Sequence, residues 1–216
     1  MTGSREDYLK AIYSLGGDVN FVSNKDLASK LEIAAASVSE MMLCLQKEGL
    51  VEYRPYHGTK LTDEGLKICN VVVKNHRLWE VFLMRHLGYS WAEAHEEAEL
   101  LEHATTLRLV ERLDKFLNYP TYCPHGSLIP REGENIDALS ILLSDLEVDE
   151  EAIVEHLIEE KELLDYLENL GLLIGEKIKI INKEPYEGSI SFKQGKKKLT
   201  LSYKAASQVY VRIIDA

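Results

Sequence analysis

The sequence predicts a mainly α-helical protein with a small β domain at its C-terminal end. Apolar residues recur at helical spacing through most of the first 117 residues, whereas residues 177–213 alternate between apolar and polar side chains in short runs. A stretch with three prolines separates the two patterns. We therefore predict a winged helix-turn-helix, a helical second domain and a C-terminal SH3-like β-barrel, with limits at residues 1–63, 64–143 and 149–216.

The first 62 residues are predicted to form three short helices and a hairpin. The helices are expected at about residues 5–15, 24–31 and 35–48, and the strands at 50–53 and 59–62. Ser23-Asn24-Lys25-Asp26 is a capping-box pattern that opens the second helix, and Gly49 suits a left-handed C-cap after the third. This order is that of a winged helix-turn-helix, and any small helical domain is the alternative.

The remaining elements follow from capping residues and prolines. Two long helices are predicted from Thr62 to about Leu87 and from Ser90 to about Leu117, and each begins at a capping residue. Residues 119–134 contain the three prolines and are predicted to be non-helical. A linker at 144–149 leads to a short helix that ends near Leu170. Strands are predicted at residues 177–181, 189–193, 198–202 and 208–213.

The charge of the chain lies mainly in its centre. The 216 residues carry 25 basic and 36 acidic side chains, a net charge of −11, of which residues 1–62 contribute only −1 and residues 63–148 contribute −7. Net negative charge weighs against nucleic-acid binding, because phosphates attract basic surfaces, but the nearly neutral N-terminal third escapes this objection.

Neither a membrane protein nor a secreted disulfide scaffold is expected. No apolar run approaches the ~18 residues of a membrane span, and MTGSREDYLK has no signal-peptide stretch. The three cysteines are scattered and odd in number. We therefore predict a cytoplasmic protein that has no membrane partner.

Charged residues interrupt the apolar faces of both long helices. His76 and Glu80 lie within the apolar stripe of the first, and a buried carboxylate is costly unless it is paired or binds a metal. The second carries a polar set on one face: His95, Glu99, Glu102 and His103. Crowded carboxylates repel each other unless a cation lies between them, so we predict divalent metal binding. A satisfied core pair at His76 and Glu80 and an exposed ion-pair network are the alternatives.

The spacing of these residues does not match an enzyme site. The chain has no H-E-x-x-H, no glycine-rich phosphate loop and no G-x-S-x-G, and it lacks the Glu-x-x-His of di-iron bundles. We predict that the protein is not an enzyme.

Six short motifs occur in order along the chain: Glu6–Leu9, Ser37–Met41, Gly49–Tyr53, Leu61–Gly65, Asn75–Leu78 and Glu99–His103. Together they resemble the diphtheria toxin repressor / manganese transport regulator family of metal-dependent transcriptional repressors, and most closely its streptococcal-type manganese-responsive branch. In the tail, Leu170–Leu172 with Gly175 resembles the third domain of the longer members. The resemblance spans essentially the whole chain. It implies a homodimer that binds double-stranded operator DNA when loaded with metal and represses metal-ion uptake genes, and a C-terminal domain of the FeoA type.

The resemblance also implies two metal sites. The primary ligands are expected to be Asp7, Glu99, Glu102 and His103. Asp7 has an alternative role, because Ser4–Asp7 is also a capping box that could begin helix one. Hard carboxylates suit Mn²⁺, with Fe²⁺ as the second candidate cofactor. Binuclear manganese members have Glu where this chain has Lys10, so that arrangement is not expected.

A secondary site is expected from a different set of residues: Glu80, Cys123, His125, Glu160 and His76. His95 is a possible ancillary ligand in the resemblance. Relatives more often have Asp where this chain has Glu160. The dimer surface is predicted at Val71, Leu78 and Phe82, with ordinary intramolecular packing as the alternative.

DNA contacts are predicted at the third helix and the hairpin. Ser37, Ser39 and Glu40 lie near the start of that helix, and Arg54 and Lys60 are phosphate candidates on the wing. Ser37–Glu40 is also a capping box, so Glu40 has an alternative role at the helix start. The alternative function is a winged-helix regulator with a structural metal or a small-molecule effector, whose DNA binding does not depend on added metal.

Overall fold

The computed structural model describes residues 3–131 and 140–214. These residues form two compact units: an N-terminal unit of residues 3–76 and 101–105, and a C-terminal unit of residues 77–100 and 106–214. Residues 132–139, which include the end of the predicted proline-containing connector, lie outside the described residues. No helix in the described part of the chain is both long and apolar enough to span a membrane.

The N-terminal unit contains the predicted winged helix-turn-helix. Its elements are α1 (Gly3–Ser14), α2 (Asn24–Lys30), α3 (Ala35–Lys47), β1 (Val51–Arg54), β2 (Gly58–Leu61) and the first part of α4 (Asp63–Phe82). Strands β1 and β2 pair antiparallel, with Val51 opposite Leu61. Ser23 caps α2 by accepting a hydrogen bond from the Asp26 N–H at 3.1 Å. The helices pack through fully buried residues such as Leu9, Leu27 and Met42.

The start of α3 does not have the capping box that the sequence offered as an alternative at Ser37–Glu40. The helix begins at Ala35 and follows Ala34, whose backbone is extended and whose side chain provides no cap. Ser37 and Glu40 therefore lie inside the helix, and the alternative in which they form a capping box is wrong. The Ser39 hydroxyl donates to the Ala35 carbonyl at 3.0 Å.

The second long helix of the prediction is broken into two. α5 (Trp91–Leu101) begins with a reciprocal capping box, in which the Ser90 N–H donates to Glu93 at 2.9 Å and the Glu93 N–H donates to Ser90 at 3.3 Å. A 3₁₀ turn (Glu102–Ala104) follows, and then comes α6 (Leu107–Phe116), whose N-cap residue is Thr106. The Thr106 side chain accepts from the Leu109 N–H at 3.3 Å, so this threonine starts a new helix where a continuous one was predicted.

The C-terminal unit contains one antiparallel sheet of six strands. The strands are β3 (Ile141–Leu142), β4 (Glu151–Leu157), β5 (Lys177–Lys183), β6 (Ile190–Gln194), β7 (Lys197–Leu201) and β8 (Val209–Ile213). Besides α5, α6 and the end of α4, this unit contains the helices α7 (Lys161–Leu170) and α8 (Tyr203–Ala206). The strand order is β3-β8-β4-β5-β6-β7. The four predicted strands are confirmed as β5 to β8, and the observed pairings run in an open order from β3 to β7.

Strands β3 and β4 were not predicted. β4 lies inside the sheet between β5 and β8, and it buries Ala152, Val154 and Leu157. Its alternation is interrupted by a register shift between Val154 and His156, and acidic residues flank it on both sides. Both features hide the strand pattern in the sequence.

The predicted dimer residues have different environments. Leu78 is fully buried in a core with Val81, Val110 and Ile129 of the C-terminal unit, so intramolecular packing is the correct alternative for this residue. Val71 is exposed. The C-terminal unit also exposes large apolar side chains: Leu87, Leu100, Leu107 and Phe116.

Candidate metal centres

The first candidate centre lies in the N-terminal unit, where α1 meets the 3₁₀ turn. His103 Nε2 is 2.9 Å from Asp7 Oδ1, and His103 Nδ1 is 2.7 Å from Glu6 Oε2. One donor atom from each of Asp7, Glu102 and His103 lies within 4.8 Å of the other two. We call these three residues the Glu102 cluster. His103 Nδ1 is thus directed at Glu6, and Nε2 is the nitrogen directed at Asp7 and the rest of the cluster.

Glu102 is buried, and its charge is balanced by neighbouring donors. Lys10 Nζ lies 2.8 Å from both carboxylate oxygens, and His76 Nδ1 lies 2.7 Å from Oε2. The Asn75 side chain donates to the Glu102 backbone carbonyl at 3.2 Å, which fixes the turn. His76, which the sequence analysis predicted as a secondary ligand, thus also contacts Glu102 of the first centre.

Burial and charge act in opposite directions on the titratable groups of this cluster. Burial raises the pKa of Asp7, although His103 and Lys10 act to lower it. Burial also opposes the protonation of His103, but the hydrogen bond to Glu6 and the negative charges of Glu102 and Asp7 outweigh it and raise the pKa. The cluster therefore has the electrostatic character of a site that attracts positive charge.

The remaining primary residue, Glu99, lies on α5 in the C-terminal unit. Its Oε1 is 3.8 Å from His95 Nε2, one turn earlier on the same helix. Asp7 does not begin α1, because the helix includes Gly3 and Asp7 lies a turn inside it. Its carboxylate contacts His103, so the capping alternative is not the arrangement observed.

The second candidate centre is buried in the C-terminal unit. Glu80, Cys123, His125 and Glu159 each offer a ligand atom within 4.8 Å of the others, and we call them the Glu80 cluster. Glu80 Oε1 is 3.1 Å from His125 Nδ1 and 3.2 Å from His95 Nδ1. The Cys123 thiol donates to Glu159 Oε1 at 3.7 Å. His95, the possible ancillary ligand, thus contacts the cluster through Glu80.

A tight turn positions Cys123 and His125. The Gly126 N–H donates to the Cys123 carbonyl at 3.1 Å, and the Leu157 N–H donates to the His125 carbonyl at 3.1 Å, which attaches the turn to β4. Gly126 has φ +84°, and a Cβ atom there would lie 1.8 Å from the Glu155 carbonyl oxygen. Only glycine fits this close approach of two backbones.

Burial dominates the electrostatics of the Glu80 cluster. It raises the pKa of the Cys123 thiol well above its ordinary value, and the charges of Glu80 and Glu159 raise it further. The thiol is therefore protonated in the metal-free protein, and a cation is the group that favours the thiolate in this position.

The structure corrects one predicted ligand of this cluster. Glu160 is exposed and accepts a hydrogen bond from Gln208 Nε2 at 3.2 Å, so it does not join Glu80. Glu159 is the acidic residue that does. Because successive side chains of an extended chain point to opposite sides, a shift of one residue exchanges the two positions.

Sequence reasoning also missed Glu6, and it considered Lys10 only as a departure from binuclear relatives. The one available signal is that both flank Asp7 within a turn of α1.

The predicted DNA-contact residues lie on α3 and the wing. Ser37 and Glu40 are exposed on α3, while the Ser39 hydroxyl accepts from the Asn24 side chain at 3.0 Å. Arg54 at the end of β1 contacts Glu52 at 2.6 Å and covers the Phe21 ring, and Lys60 is half-buried on β2.

Both clusters contain donor sets that fit a divalent metal ion. The Glu102 cluster offers two carboxylates and an imidazole, and the Glu80 cluster adds a softer thiol. A winged helix-turn-helix together with such sets defines the class of metal-responsive DNA-binding proteins.

Comparisons with known proteins agree with this class. Residues 1–59 match the N-terminal DNA binding domain of the iron dependent repressors, residues 62–131 match their metal binding and dimerisation domain, and residues 141–213 match the FeoA domain. The chain belongs to the iron-dependent repressor family, whose members are DNA-binding, metal-dependent transcriptional repressors and not enzymes. The predicted family and the three predicted kinds of domain are confirmed, whereas the strand pairings of the described residues do not close the predicted barrel.

Individual relatives cover the whole chain. The manganese regulator SloR is 37% identical with a TM-score of 0.81, over 99% of this chain and 100% of that one. A manganese-dependent transcriptional repressor in complex with manganese is 30% identical with a TM-score of 0.89, over 97% and 100%. The iron-dependent repressor IdeR of Mycobacterium leprae is 26% identical, over 98% of this chain and 97% of its own length.

Proposed function

We propose that this protein is a Mn²⁺-dependent repressor that binds operator DNA as a homodimer in the cytoplasm and controls metal-ion uptake genes. The observation that carries the proposal is the 2.9 Å contact between Asp7 and His103 beside buried Glu102. Asp7 belongs to α1, the first helix of the winged helix-turn-helix, so a metal held by this cluster acts directly on the DNA-binding fold.

The bound cation supplies the positive charge that allows two carboxylates to share one site. Asp7, Glu102 and His103 hold it, with Glu99 as the fourth predicted ligand. Glu6 orients the His103 ring through Nδ1, and His76 supports Glu102. These contacts hold α1 against the 3₁₀ turn, and in the homodimer they fix the geometry of the two α3 helices for successive major grooves.

The donor sets support different roles for the two centres. Carboxylate and imidazole donors at the Glu102 cluster favour Mn²⁺, with Fe²⁺ as the second candidate. The Glu80 cluster holds the secondary ion through Glu80, Cys123 and His125, with Glu159 in the position predicted for Glu160.

We assign the DNA-binding and dimer surfaces from the side chains that are exposed to solvent. We assign DNA contacts to Ser37, Glu40, Arg54 and Lys60, with Ser39 supporting the start of α3. The exposed apolar side chains of the C-terminal unit form the dimer surface: Leu87, Leu100, Leu107 and Phe116. For the domain limits we keep the predicted residues 1–63, 64–143 and 149–216, and we add β3 to the last domain because it pairs with β8.

The test is selection of genomic DNA fragments by the purified protein without metal, with Mn²⁺, and with Fe²⁺ in the absence of oxygen. We expect palindromic fragments upstream of transporter genes only with metal, and an affinity that falls steeply with salt. Equal selection without metal would contradict the proposal and favour the winged-helix regulator with a structural metal or a small-molecule effector.

A substitution isolates the Glu102 cluster in the same assay. Glu102→Ala is expected to abolish metal-activated DNA binding and to leave the dimer intact, whereas Glu64→Ala on the exposed start of α4 is expected to change neither. Loss of the dimer in Glu102→Ala would show that Glu102 is structural.

A further inference from the structure

Lys10 occupies a special position in the Glu102 cluster. It follows Asp7 by three residues on α1, and its Nζ lies 2.8 Å from each of the two Glu102 oxygens. Glu102 is buried, whereas the Lys10 side chain retains 20% of its exposed surface. A single ammonium group therefore covers both oxygens through which Glu102 would bind a metal.

An ammonium group and a divalent cation compete for these atoms. The two carry the same sign, and their repulsion is strong where the surroundings exclude water. His76 also contacts Glu102. A neutral imidazole does not repel a cation, whereas the ammonium group of Lys10 does. The Lys10 side chain reaches solvent, so it is the group that is able to leave.

We propose that Lys10 is a built-in competitor of the metal: its ammonium replaces the cation on Glu102 in the metal-free protein, and Mn²⁺ binds by displacing it. This inference rests on the proposed function of the Glu102 cluster. It assigns a regulatory role to Lys10, because competition stabilises the metal-free protein and raises the Mn²⁺ concentration at which the repressor becomes active.

The experiment compares the wild-type protein with Lys10→Met, which removes the charge and keeps a long side chain that favours helix. Mn²⁺ affinity is measured by equilibrium titration, and thermal unfolding is measured in EDTA. We expect Lys10→Met to bind Mn²⁺ about tenfold more tightly, since a close like charge is removed. We also expect it to unfold at a lower temperature in EDTA, because buried Glu102 loses its ammonium partner.

Two further variants give the controls. Lys67→Met makes the same change of net charge at an exposed pair with Glu64 on α4, and it should leave both measurements unchanged. Lys10→Arg keeps the positive charge and should bind Mn²⁺ no more tightly than the wild type.

Each outcome has a defined meaning. Unchanged or weaker Mn²⁺ binding by Lys10→Met, while the wild type binds Mn²⁺, would overturn the role of Lys10 and leave the proposed function intact. Failure of the wild type to bind Mn²⁺ would overturn both. If Lys10→Met is unfolded in EDTA, recovery of its fold with Mn²⁺ supports the competition, and failure to recover overturns it.

Discussion

The two candidate metal centres share donor types but differ in their access to water. In the Glu102 cluster, the Asp7 and His103 side chains keep 43% and 24% of their exposed surface, whereas Glu80 and His125 of the Glu80 cluster keep none. Glu102 contacts the partly exposed ammonium group of Lys10, whereas Glu80 contacts the imidazole rings of His95 and His125. We therefore expect an ion at the first centre to exchange with solvent more readily than an ion at the second. On this hypothesis the first centre senses the metal and the second supports the structure.

Removal of Glu80 should give the largest effect. Glu80→Ala deletes the carboxylate that His95 and His125 both contact in the core, and we expect the free energy of unfolding of the metal-free protein to fall by about 3 kcal/mol. Urea denaturation in EDTA measures this loss. Glu64→Ala, at an exposed site of α4, should change it by less than about 0.5 kcal/mol. Similar small losses in both variants would remove the structural distinction between the two centres.

The thiol of Cys123 distinguishes the centres spectroscopically. We expect Co²⁺ to produce a thiolate-to-metal absorption band in the wild type and the band to disappear in Cys123→Ser, because only the Glu80 cluster contains sulfur. The Co²⁺ affinity of this centre should fall by about tenfold or more. Cys44→Ser on α3 is the matched control and should keep the band. A band that survives in Cys123→Ser would place the sulfur-bound ion elsewhere.

The two centres also differ in how far the sequence predicts them. The helical spacing of His76 and Glu80, and of Glu99, Glu102 and His103, identifies most of the donors, because a polar residue on an apolar face is a strong signal. The break at Thr105 and Thr106 escaped prediction, since a threonine cap between two helical patterns looks like a residue on a continuous helix. The break places Glu102 and His103 in a 3₁₀ turn, where they contact α1.

Contacts between residues far apart in the sequence were harder to predict than the helical faces. Glu159 replaces Glu160 because the register of unpredicted β4 and the segment after it decides which side chain points inward. His76 contacts Glu102, a residue 26 positions away, and the spacing along its own helix gives no sign of this contact. Such choices depend on tertiary packing, which a single helical face or strand pattern does not encode.

Glu6 tests whether the exposed centre depends on support from outside its ligands. Its carboxylate lies 2.7 Å from His103 Nδ1 and fixes the orientation of the ring. We expect Glu6→Gln to weaken Mn²⁺ binding by about tenfold and to leave the Co²⁺ band of the Glu80 cluster unchanged. Glu48→Gln, which removes an acidic partner of Arg5 on the neighbouring surface, is the control. Equal weakening by both variants would mean that general negative charge, and not ring orientation, explains the effect.

A partly exposed ion pair in the C-terminal unit gives a reference for the effect of removing a buried carboxylate on stability. Glu155 accepts hydrogen bonds from Ser140 at 2.7 Å and Arg212 at 2.6 Å. Burial opposes ionisation of Glu155, but these two donors outweigh it and lower the pKa. Because the folded pKa lies below the unfolded one, the stabilisation is complete above the unfolded pKa of about 4.3 and is lost as the pH falls through the folded value.

We expect Glu155→Gln to lower the free energy of unfolding by less than about 1 kcal/mol at neutral pH, since solvent screens this pair. The difference from the wild type should vanish in acid, which urea denaturation across the acidic range measures. Arg212→Gln should show the same pH dependence with a smaller amplitude, because Ser140 still contacts Glu155. If Glu155→Gln instead destabilises the protein as much as Glu80→Ala, the greater burial of Glu80 does not make its contacts more stabilising than those of Glu155. The contrast between an exchanging centre and a structural centre would then have to rest on the metal ligands alone.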